Sequence, residues 1–313
     1  MILITGASGY LGARIANYLL ESENKIILGV RSKNQIIPKE LENCEIVEIN
    51  MEDQLSLQLA CKEVKTILHL AGMNSADSKL DPKKAILVNS KGTLNLLNAA
   101  KLAQVNNFIY FSTAHVYGSP LVGYFDEDSE LRPEHPYSIS NHYAENYILS
   151  SSKDSCLNCT IFRLSNAVGR PLNKESSCWS LITNDLCKSS VTDKKLCLNS
   201  NRLLQRDFIS IDEVCRVILF FINNNQFSKK TEIYNLSSGV SINLESLTDL
   251  IAARTDRVLG YTPKIIFESN AKYSSKYTLN ISNKKLKKLG FNPSRSIIDD
   301  IDDLLILCKT WFQ

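Results

Sequence analysis

The chain has 313 residues, of which 44% are hydrophobic and 22% charged, so it can bury a large core and is ordinary globular material. Its formal net charge of +3 is too small to indicate a nucleic-acid partner. No apolar run approaches the length of a membrane span, so we expect no membrane association. The first predicted strand begins at Met1, and we therefore expect no leader peptide.

The nine cysteines show no disulfide framework. Cys156-Leu157-Asn158-Cys159 is the single Cys-x-x-Cys sequence, and no second pair completes a zinc site. It leads into a predicted strand, so we expect a structural role and no metal. Unpaired cysteines are typical of a reducing compartment, which predicts a cytoplasmic protein.

The first predicted strand ends in a glycine loop. Met1–Ile4 suits a buried parallel strand, and Gly6, Gly9 and Gly12 then follow in the spacing G-x-x-G-x-x-G before a helical pattern. Gly6 permits a tight turn, Gly9 lets the backbone approach a pyrophosphate, and Gly12 allows close packing of helix on strand. The loop predicts a dinucleotide site; the alternative is a glycine turn between any strand and helix.

The second strand ends without the carboxylate that binds the ribose diol of NAD. Val30-Arg31-Ser32-Lys33 stands there instead, with two cations. This favours the 2′-phosphate of NADP, which Arg31 would accept. The alternative is a solvated basic turn with NAD bound by the backbone.

Strands and helices alternate from the second strand onwards. We predict strands at 25–31, 45–49, 66–70, 108–112 and 160–164, with helices at 54–64, 85–103 and 137–150. Such alternation predicts right-handed crossovers and an α/β fold, a Rossmann-type doubly wound parallel sheet that binds ligands at the carboxyl ends of its strands.

The pattern becomes irregular after Pro171. We predict helices at 181–186, 244–254 and 297–311, and strands at 208–211 and 233–236 that rejoin the sheet. We predict that the basic cluster Lys284–Lys288 is the solvent-exposed face of a helix. We therefore predict an NAD(P)-binding Rossmann domain of residues 1–169 plus 203–236, and a smaller, irregular C-terminal substrate lobe of residues 170–202 plus 237–313.

Further motifs follow the glycine loop in a fixed order. They are His69–Gly72, Asn89–Asn95, Phe111–Gly118, Tyr137–Asn141, Arg163–Pro171, Arg206–Val214, Tyr234–Gly239 and Leu289–Pro293. With these motifs the chain resembles, over nearly its whole length, the extended short-chain dehydrogenases/reductases of the NAD-dependent epimerase/dehydratase family. The resemblance implies a cytoplasmic, NAD(P)-dependent nucleotide-sugar epimerase or ketoreductase that works by hydride transfer at a sugar carbon, in surface-glycan synthesis. It also implies a homodimer paired through helices 85–103 and 137–150.

The resemblance assigns roles to individual residues. Thr113 matches the family's catalytic Ser/Thr, and Tyr137 matches the general acid/base. Asn166 faces substrate, and Arg206 meets the diphosphate of the sugar nucleotide through bidentate contacts, although an ion pair with Asp207 is the alternative. The implied cofactor contacts are Gly6, Ser8, Gly9, Tyr10, Leu11, Gly12, Arg31, Asn50, Met51, Leu70, Ala71, Gly72, Asn89 and Tyr137.

Asn141 departs from the family pattern, because a Tyr-x-x-x-Lys pair has lysine at this position. In the family the ammonium stabilises the tyrosinate and holds the nicotinamide ribose. Asn141 keeps hydrogen-bonding capacity without charge, so we expect much of a general-base contribution of about 10²–10⁴-fold to be lost. The ring of oxidised cofactor would partly replace the charge; alternatively, the chain binds nucleotide or nucleotide-sugar without efficient redox turnover.

His115 is the second unusual position. Related 4,6-dehydratases carry Asp and Glu after the threonine, whereas this chain carries Ala114 and His115, which argues against dehydration. His115 is a candidate proton carrier, because its unperturbed pKa lies near ~6.5. The favoured alternative is a loop histidine packed beside Tyr117. His69 stands where the family pattern has a structural histidine.

Overall fold

Short apolar runs form the strands of the protein. The computed structural model describes residues 1–151, 157–267 and 278–313. Cys156 of the Cys-x-x-Cys sequence lies outside the described residues. The strands are β1 (Ile2–Thr5), β2 (Ile26–Val30), β3 (Glu45–Glu48), β4 (Thr66–His69), β5 (Asn107–Thr113), β6 (Gly123–Phe125), β7 (Asn158–Leu164), β8 (Asn166–Val168), β9 (Lys195–Leu198), β10 (Gln205–Ser210), β11 (Glu232–Leu236), β12 (Ser241–Asn243), β13 (Lys264–Phe267) and β14 (Leu279–Ile281).

Seven of these strands form one parallel sheet in the order β11-β7-β5-β4-β1-β2-β3. The chain begins in the middle of the sheet at β1, runs outwards to β3, and resumes at β4 on the other side of β1. This reversal confirms the predicted doubly wound parallel sheet. It also opens a crevice between the carboxyl ends of β1 and β4, where Thr5 and His69 are in register.

The helices are α1 (Tyr10–Glu21), α2 (Gln54–Ala60), α3 (Ser75–Leu80), α4 (Pro82–Ala85), α5 (Gly92–Leu102), α6 (Pro136–Ser151), α7 (Ile182–Thr192), α8 (Ile211–Asn223), α9 (Leu244–Leu259), α10 (Lys284–Lys288) and α11 (Ile297–Phe312). The predicted helices are present with shifted ends, α7 and α9 being longer than predicted, and α3 and α8 are additional. The long helix predicted at 85–103 starts earlier, at Pro82, and contains a π-helical stretch, Ile86–Lys91, between α4 and α5. None of the helices in the described part of the chain combines the length and apolar character needed to cross a bilayer.

Alternate side chains of each central strand enter different cores. Ile4 and Leu28 pack on one face of the sheet against α1 and α8, whereas Leu3 and Ile27 pack on the other face against α2, α5 and α6. Such burial on both faces explains the nearly continuous apolar runs of these strands. A third core joins α7, α9 and α11 in the C-terminal part.

One strand prediction is wrong. The segment near Phe208–Ile211 was expected to rejoin the large sheet, but β10 pairs with β8 and β12 in a separate three-stranded sheet. The reason is that β8 follows β7 almost directly, leaves the large sheet and supplies a new edge for β10. The strand predicted at 233–236 does rejoin the large sheet, as β11 beside β7. The basic cluster is α10, whose Leu286 is buried.

Helix α6 is attached to the sheet largely through polar groups. Glu145 and Arg163 form an ion pair at 2.8 Å with side chains only 1% and 3% exposed. The Ser112 hydroxyl donates a further hydrogen bond to Glu145, and the Arg163 guanidinium also donates to the Tyr117 hydroxyl at 3.1 Å. Because these partners come from β5, β7 and the turn after β5, they fix the middle of α6 beside the end of β5.

Candidate active site

A cavity of about 870 Å³ lies at the carboxyl ends of the central strands. Its wall includes Gly6 after β1, Leu70 after β4, Thr113 at the end of β5 and Ser165 after β7. The first turn of α7 and the strand β10 close it from the C-terminal side. The cavity therefore occupies the crevice that the sheet topology opens.

The glycine loop forms a narrow cradle at one end of this cavity. Gly6 has a φ of +70°, and a Cβ atom there would lie 2.8 Å from the backbone nitrogen of Ala71. A Cβ atom at Gly12 would lie 2.2 Å from the carbonyl oxygen of Gly6. No side chain caps the first turn of α1. The cradle thus presents the positive end of a helix with backbone groups only, which suits a phosphate.

Most of the predicted cofactor residues line the cavity, namely Gly6, Gly9, Tyr10, Leu11, Gly12, Leu70, Ala71, Gly72, Asn89 and Tyr137. Four others lie outside its lining, and their roles stay predictions. Arg31 is exposed just after β2, and Ser8 is half-buried in the loop. Asn50 accepts a hydrogen bond from the Glu52 backbone at 3.0 Å, and the Met51 carbonyl accepts one from the amide of the helical Asn95 at 2.8 Å.

Thr113 and Tyr137 both line the cavity, one at the end of β5 and the other in the first turn of α6. Burial raises the pKa of the Tyr137 phenol, and hydrogen bonding with Thr113 partly opposes that rise. Among the described residues, no cation contributes to this pKa. The phenol is therefore protonated near neutral pH and is a proton donor in its resting form.

Asn141 is buried at 4% exposure, and both ends of its amide are occupied. Its Oδ1 accepts a hydrogen bond from the Tyr110 hydroxyl at 2.7 Å, and its Nδ2 donates to the backbone carbonyl of Tyr137 at 2.7 Å. The side chain is thus turned towards Tyr110. Sequence inspection did not single out Tyr110, because its contact with α6 joins positions that are 31 residues apart.

His69 has the structural setting expected from its motif. Its Nδ1 lies 2.7 Å from the Thr5 hydroxyl, and its Nε2 lies 2.9 Å from the Thr93 hydroxyl. Thr93 already donates to the Asn89 carbonyl at 2.6 Å, so it accepts from His69, whose proton is therefore on Nε2. Burial lowers the pKa of His69 to about 3. The ring is a neutral link between β1, β4 and the helix after β4.

Arg206 and Asp207 point to opposite sides of β10, as neighbours on a strand must. The Asp207 carboxylate is fully buried and accepts hydrogen bonds from Ser165, Ser238 and Gly239. The ion pair considered as an alternative for Arg206 is therefore absent. Arg206 lines the cavity, burial lowers its pKa, and no described carboxylate pairs with it. Asn166 lines the same wall, with its amide donating to the Asp207 carbonyl at 2.8 Å.

His115 also lines the cavity, on the 3₁₀ turn Ala114–Tyr117 that follows β5. Burial, followed by the nearby charges of Arg206 and His135, lowers the pKa of His115 to about 4. His135 lies in the lining as well, and its Nδ1 accepts a hydrogen bond from the Tyr137 backbone at 3.2 Å. Arg206, His115 and His135 are consequently neighbours in the lining of the cavity.

Tyr10 makes a contact that its place in the glycine loop did not predict. Its hydroxyl donates to the carbonyl of Gly169 at 2.8 Å, so the loop is tied to the segment that follows β8. No local sequence signal marks this contact, since the two residues are 159 positions apart. It makes the shape of the cradle depend on a residue far along the chain.

Comparisons with known proteins agree with this geometry. The model of the family described as "NAD dependent epimerase/dehydratase family" matches residues 2–237. The chain is 24% identical to a putative UDP-glucose 4-epimerase of Methanocaldococcus jannaschii, with 96% of each protein covered. It is 24% identical to the low-salt glycan biosynthesis protein Agl12 of Haloferax volcanii, again with 96% of each covered. It is 26% identical to the human dTDP-D-glucose 4,6-dehydratase over 79% of this chain and 71% of that protein.

Solved structures share the fold over the whole chain. MoeE5 in complex with UDP-glucose and NAD has a TM-score of 0.82 at 18% identity, covering 100% of this chain and 99% of the other. The structure of RMD from Pseudomonas aeruginosa complexed with NADPH has a TM-score of 0.77 at 20% identity, with 100% and 99% covered. These likenesses concern the fold alone.

The buried His69 predicts acid sensitivity. Its pKa of about 3 in the folded protein lies below the ordinary value of 6.5, so the unfolded chain takes up the proton first as the pH falls. Between those values this histidine should remove about 1.4 kcal/mol of unfolding free energy per pH unit. Urea unfolding at a series of pH values should show a shallower pH slope for His69→Gln than for wild type.

Phe108→Leu supplies the control, since it changes the packing beside the His69 ring without removing a titratable group and should leave the slope unchanged. An identical slope in His69→Gln and wild type would contradict the neutral, buried state of His69.

Proposed function

The chain belongs to the NAD-dependent epimerase/dehydratase family, and we propose that it is a nicotinamide-dependent enzyme that acts on a nucleotide-linked sugar by hydride transfer at a sugar carbon, as an epimerase or a ketoreductase. One observation carries this proposal: a single cavity joins the glycine cradle, the Thr113–Tyr137 pair and the unpaired Arg206. Similarity to a glycan biosynthesis protein supports a role in surface-glycan synthesis.

The cradle fits the pyrophosphate of a nicotinamide dinucleotide, because Gly6 and Gly12 leave no room for side chains and α1 is uncapped. Leu70, Ala71 and Asn89 line the wall beside it. When bound, the nicotinamide accepts or supplies the hydride. The chain's own residues bind the dinucleotide and hold the proton that accompanies hydride transfer.

NADP is the dinucleotide we favour over NAD. Arg31 lies exposed directly after β2, and Lys33 is exposed two residues later. An arginine in this position suits the 2′-phosphate through bidentate hydrogen bonds. The structural relatives bind NAD in one case and NADPH in another, so both dinucleotides occur on this fold.

Arg31→Asp should reverse the dinucleotide preference. The change removes the cation that would bind the 2′-phosphate and supplies a carboxylate for the ribose diol. The ratio of NADP affinity to NAD affinity should therefore move by about 10- to 100-fold towards NAD. Calorimetric titration of both dinucleotides measures the ratio, and Lys39→Asp is the matched control on the exposed turn that follows. Equal ratios in wild type and Arg31→Asp would contradict the preference for NADP.

Arg206 is the group that we assign to the sugar-nucleotide diphosphate. A half-buried guanidinium that lacks a counter-charge is costly, and an anion in the cavity would supply the missing charge. Its planar fork suits two phosphate oxygens at once. Nucleotide sugars are ligands of the structural relatives, as with UDP-glucose in MoeE5.

Arg206→Met should weaken UDP-sugar binding by about 10- to 100-fold, because it removes charge-assisted hydrogen bonds while keeping the apolar stem. Dinucleotide affinity should be unchanged. Arg202→Met is the control, since Arg202 pairs with Glu245 and lies outside the cavity lining. Calorimetry with UDP-glucose and with UDP alone measures the loss. Wild-type affinity for both ligands in Arg206→Met would sink this assignment.

Tyr137 is the proposed acid/base, with Thr113 beside it to hydrogen-bond the substrate oxygen. Its protonated phenol is ready to give a proton to the oxyanion that forms when a carbonyl is reduced. Removing a proton from a sugar hydroxyl requires the phenolate, which burial disfavours and no cation at position 141 restores. The geometry therefore favours carbonyl reduction over hydroxyl oxidation at neutral pH.

The two directions of reaction should differ in their pH dependence. Because the Tyr137 pKa lies above its ordinary value of about 10, the rate of hydroxyl oxidation should climb nearly tenfold per pH unit through the neutral range. Carbonyl reduction should stay flat. Initial rates followed by nicotinamide absorbance measure both directions. Tyr137→Phe should lower both by at least about 100-fold.

An oxidation profile that levels off near neutral pH would contradict the assignment to Tyr137. It would point instead to a group with a lower pKa, and His115 is the first candidate in the lining.

Dehydration is the reaction that we exclude from the proposal. The turn after Thr113 carries Ala114, which is buried, and His115, which is uncharged at neutral pH. Neither supplies the carboxylates that move protons during elimination of water. The similarity to a 4,6-dehydratase therefore supports the family and the sugar-nucleotide substrate. Ala114 and His115 distinguish the proposed reaction from dehydration.

A second candidate function is binding of nucleotide or nucleotide-sugar without efficient turnover. The observation that favours it is the occupied amide of Asn141, which leaves Tyr137 without any help from position 141. Retained binding together with equal, negligible rates in wild type and Tyr137→Phe would select this function.

We further propose that two copies of the chain pair through α6 and the helical segment 82–102. Leu87, Tyr143 and Tyr147 are exposed on these elements at 47%, 50% and 39%. Large apolar groups clustered on adjacent helices suit a symmetric interface.

A further inference from the structure

Tyr110 is a buried tyrosine whose hydroxyl reaches the helix that carries the acid/base. It lies on β5 at 3% exposure and donates to Asn141 Oδ1 at 2.7 Å. Asn141 in turn donates to the carbonyl of Tyr137 at 2.7 Å. Two short hydrogen bonds therefore join the middle of β5 to the turn that presents the Tyr137 phenol. Tyr110, Asn141 and Tyr137 all line the cavity.

The other side of Tyr110 is held by rigid neighbours. Its ring lies 5.6 Å from the ring of His69, measured between centroids. His69 is itself fixed by hydrogen bonds to Thr5 and Thr93. Tyr110 consequently has little freedom to follow a substituted residue at position 141, and its hydroxyl keeps its place above α6.

We propose that Tyr110 is a positioning residue of the active site, and that Tyr110 and Asn141 are a matched pair in which Tyr110 decides whether position 141 can serve Tyr137. The amide of Asn141 is hydrogen-bonded to Tyr110 and to the helix backbone, so both of its ends are engaged by groups other than the phenol. This assignment rests on the proposed acid/base role of Tyr137.

The pair has a consequence for any charge placed at position 141. A lysine there would meet the Tyr110 oxygen at the place where Asn141 Oδ1 now lies, and that oxygen is a ready acceptor for the ammonium. Tyr110 would then compete with the Tyr137 phenol for the ammonium. Tyr110→Phe removes the competing acceptor, so the two positions must be exchanged together for a charge to reach Tyr137.

Titration of the Tyr137 phenol tests the pair directly. Proteins with ¹³C-labelled tyrosine rings are followed by NMR over about pH 6 to 11 without substrate, and Tyr137→Phe identifies the resonance. In Tyr110→Phe/Asn141→Lys the midpoint should fall by about 1–3 pH units, as an adjacent cation requires. In Asn141→Lys alone it should fall by less than about half of that amount. Tyr110→Phe/Asn141→Met has a side chain of similar length without charge and should show no fall.

Equal shifts in Asn141→Lys and the double lysine variant would overturn the proposal, as would no shift in either. The titration needs neither substrate nor turnover. A protein without activity would therefore count against the proposed function alone, and an absent dependence on Tyr110 would count against the pair alone.

A stability cycle covers the case in which a buried lysine prevents folding. Urea unfolding of Tyr110→Phe, Asn141→Leu and the double variant measures the coupling between the two side chains. Each variant should raise the unfolding equilibrium constant. For a matched pair, the rise in the double variant should be at least about tenfold smaller than the product of the rises in the two single variants, because exchanging both partners leaves no buried polar group unpaired. Additive losses would overturn the pairing.

Discussion

The ion pair between Glu145 and Arg163 is the interaction on which the site depends most. Helix α6 buries four polar residues, Ser138, Ser140, Asn141 and Glu145, and its apolar contacts are few: Ala144 and Ile148 are buried and Leu149 is partly buried. An apolar stripe would allow a helix to slide or rotate slightly at little cost. A bidentate ion pair that also engages Ser112 fixes its rotation. Removing one partner would leave a buried charge, at a typical cost of about 3–5 kcal/mol.

That fixed rotation makes the neutral residue at position 141 consequential. With α6 unable to turn, the side chain of Asn141 meets the Tyr110 hydroxyl and no other buried donor. The cavity is therefore asymmetric in charge. The guanidinium of Arg206 lies on the wall formed by β10 and Lys79 lies on the wall formed by α3, whereas the wall formed by α6 is neutral. In the proposed function, substrate charge and proton transfer are therefore assigned to different sides of the cavity.

Much of the fold was predictable from the sequence because it is encoded locally. Apolar runs, the glycine loop and helical periodicity each act within about ten residues, and they gave the doubly wound sheet and most helix ends. The position of β10 was not predictable, since the new edge offered by β8 exists only after β7 has joined the sheet. Neighbouring residues of a strand point to opposite sides, so Arg206 and Asp207 could not pair once both lie in β10. The predicted strand began only at residue 208, so this separation was not predicted.

The site was predictable to the extent that its residues sit in motifs. Thr113, Tyr137 and the glycine cradle line one cavity as their motifs indicate, whereas the partner of Asn141 was missed. Tyr110 is one more aromatic residue in a buried strand, and nothing in its neighbours marks a hydrogen bond to a helix that begins 26 residues later. Long-range polar pairs of this kind leave no periodic signal.

The π-helical stretch Ile86–Lys91 is the place where this helix can change its length by one residue. A π turn holds one more residue than an α turn, and here the widened turn carries Asn89 at the cavity wall. Deleting one residue would let the segment relax to a regular α-helix while the later side chains keep their orientation, because the widened turn takes up the extra residue. Leu96, Leu97 and Ala100 would stay in the core, and the change would fall on the cavity wall at Asn89 instead.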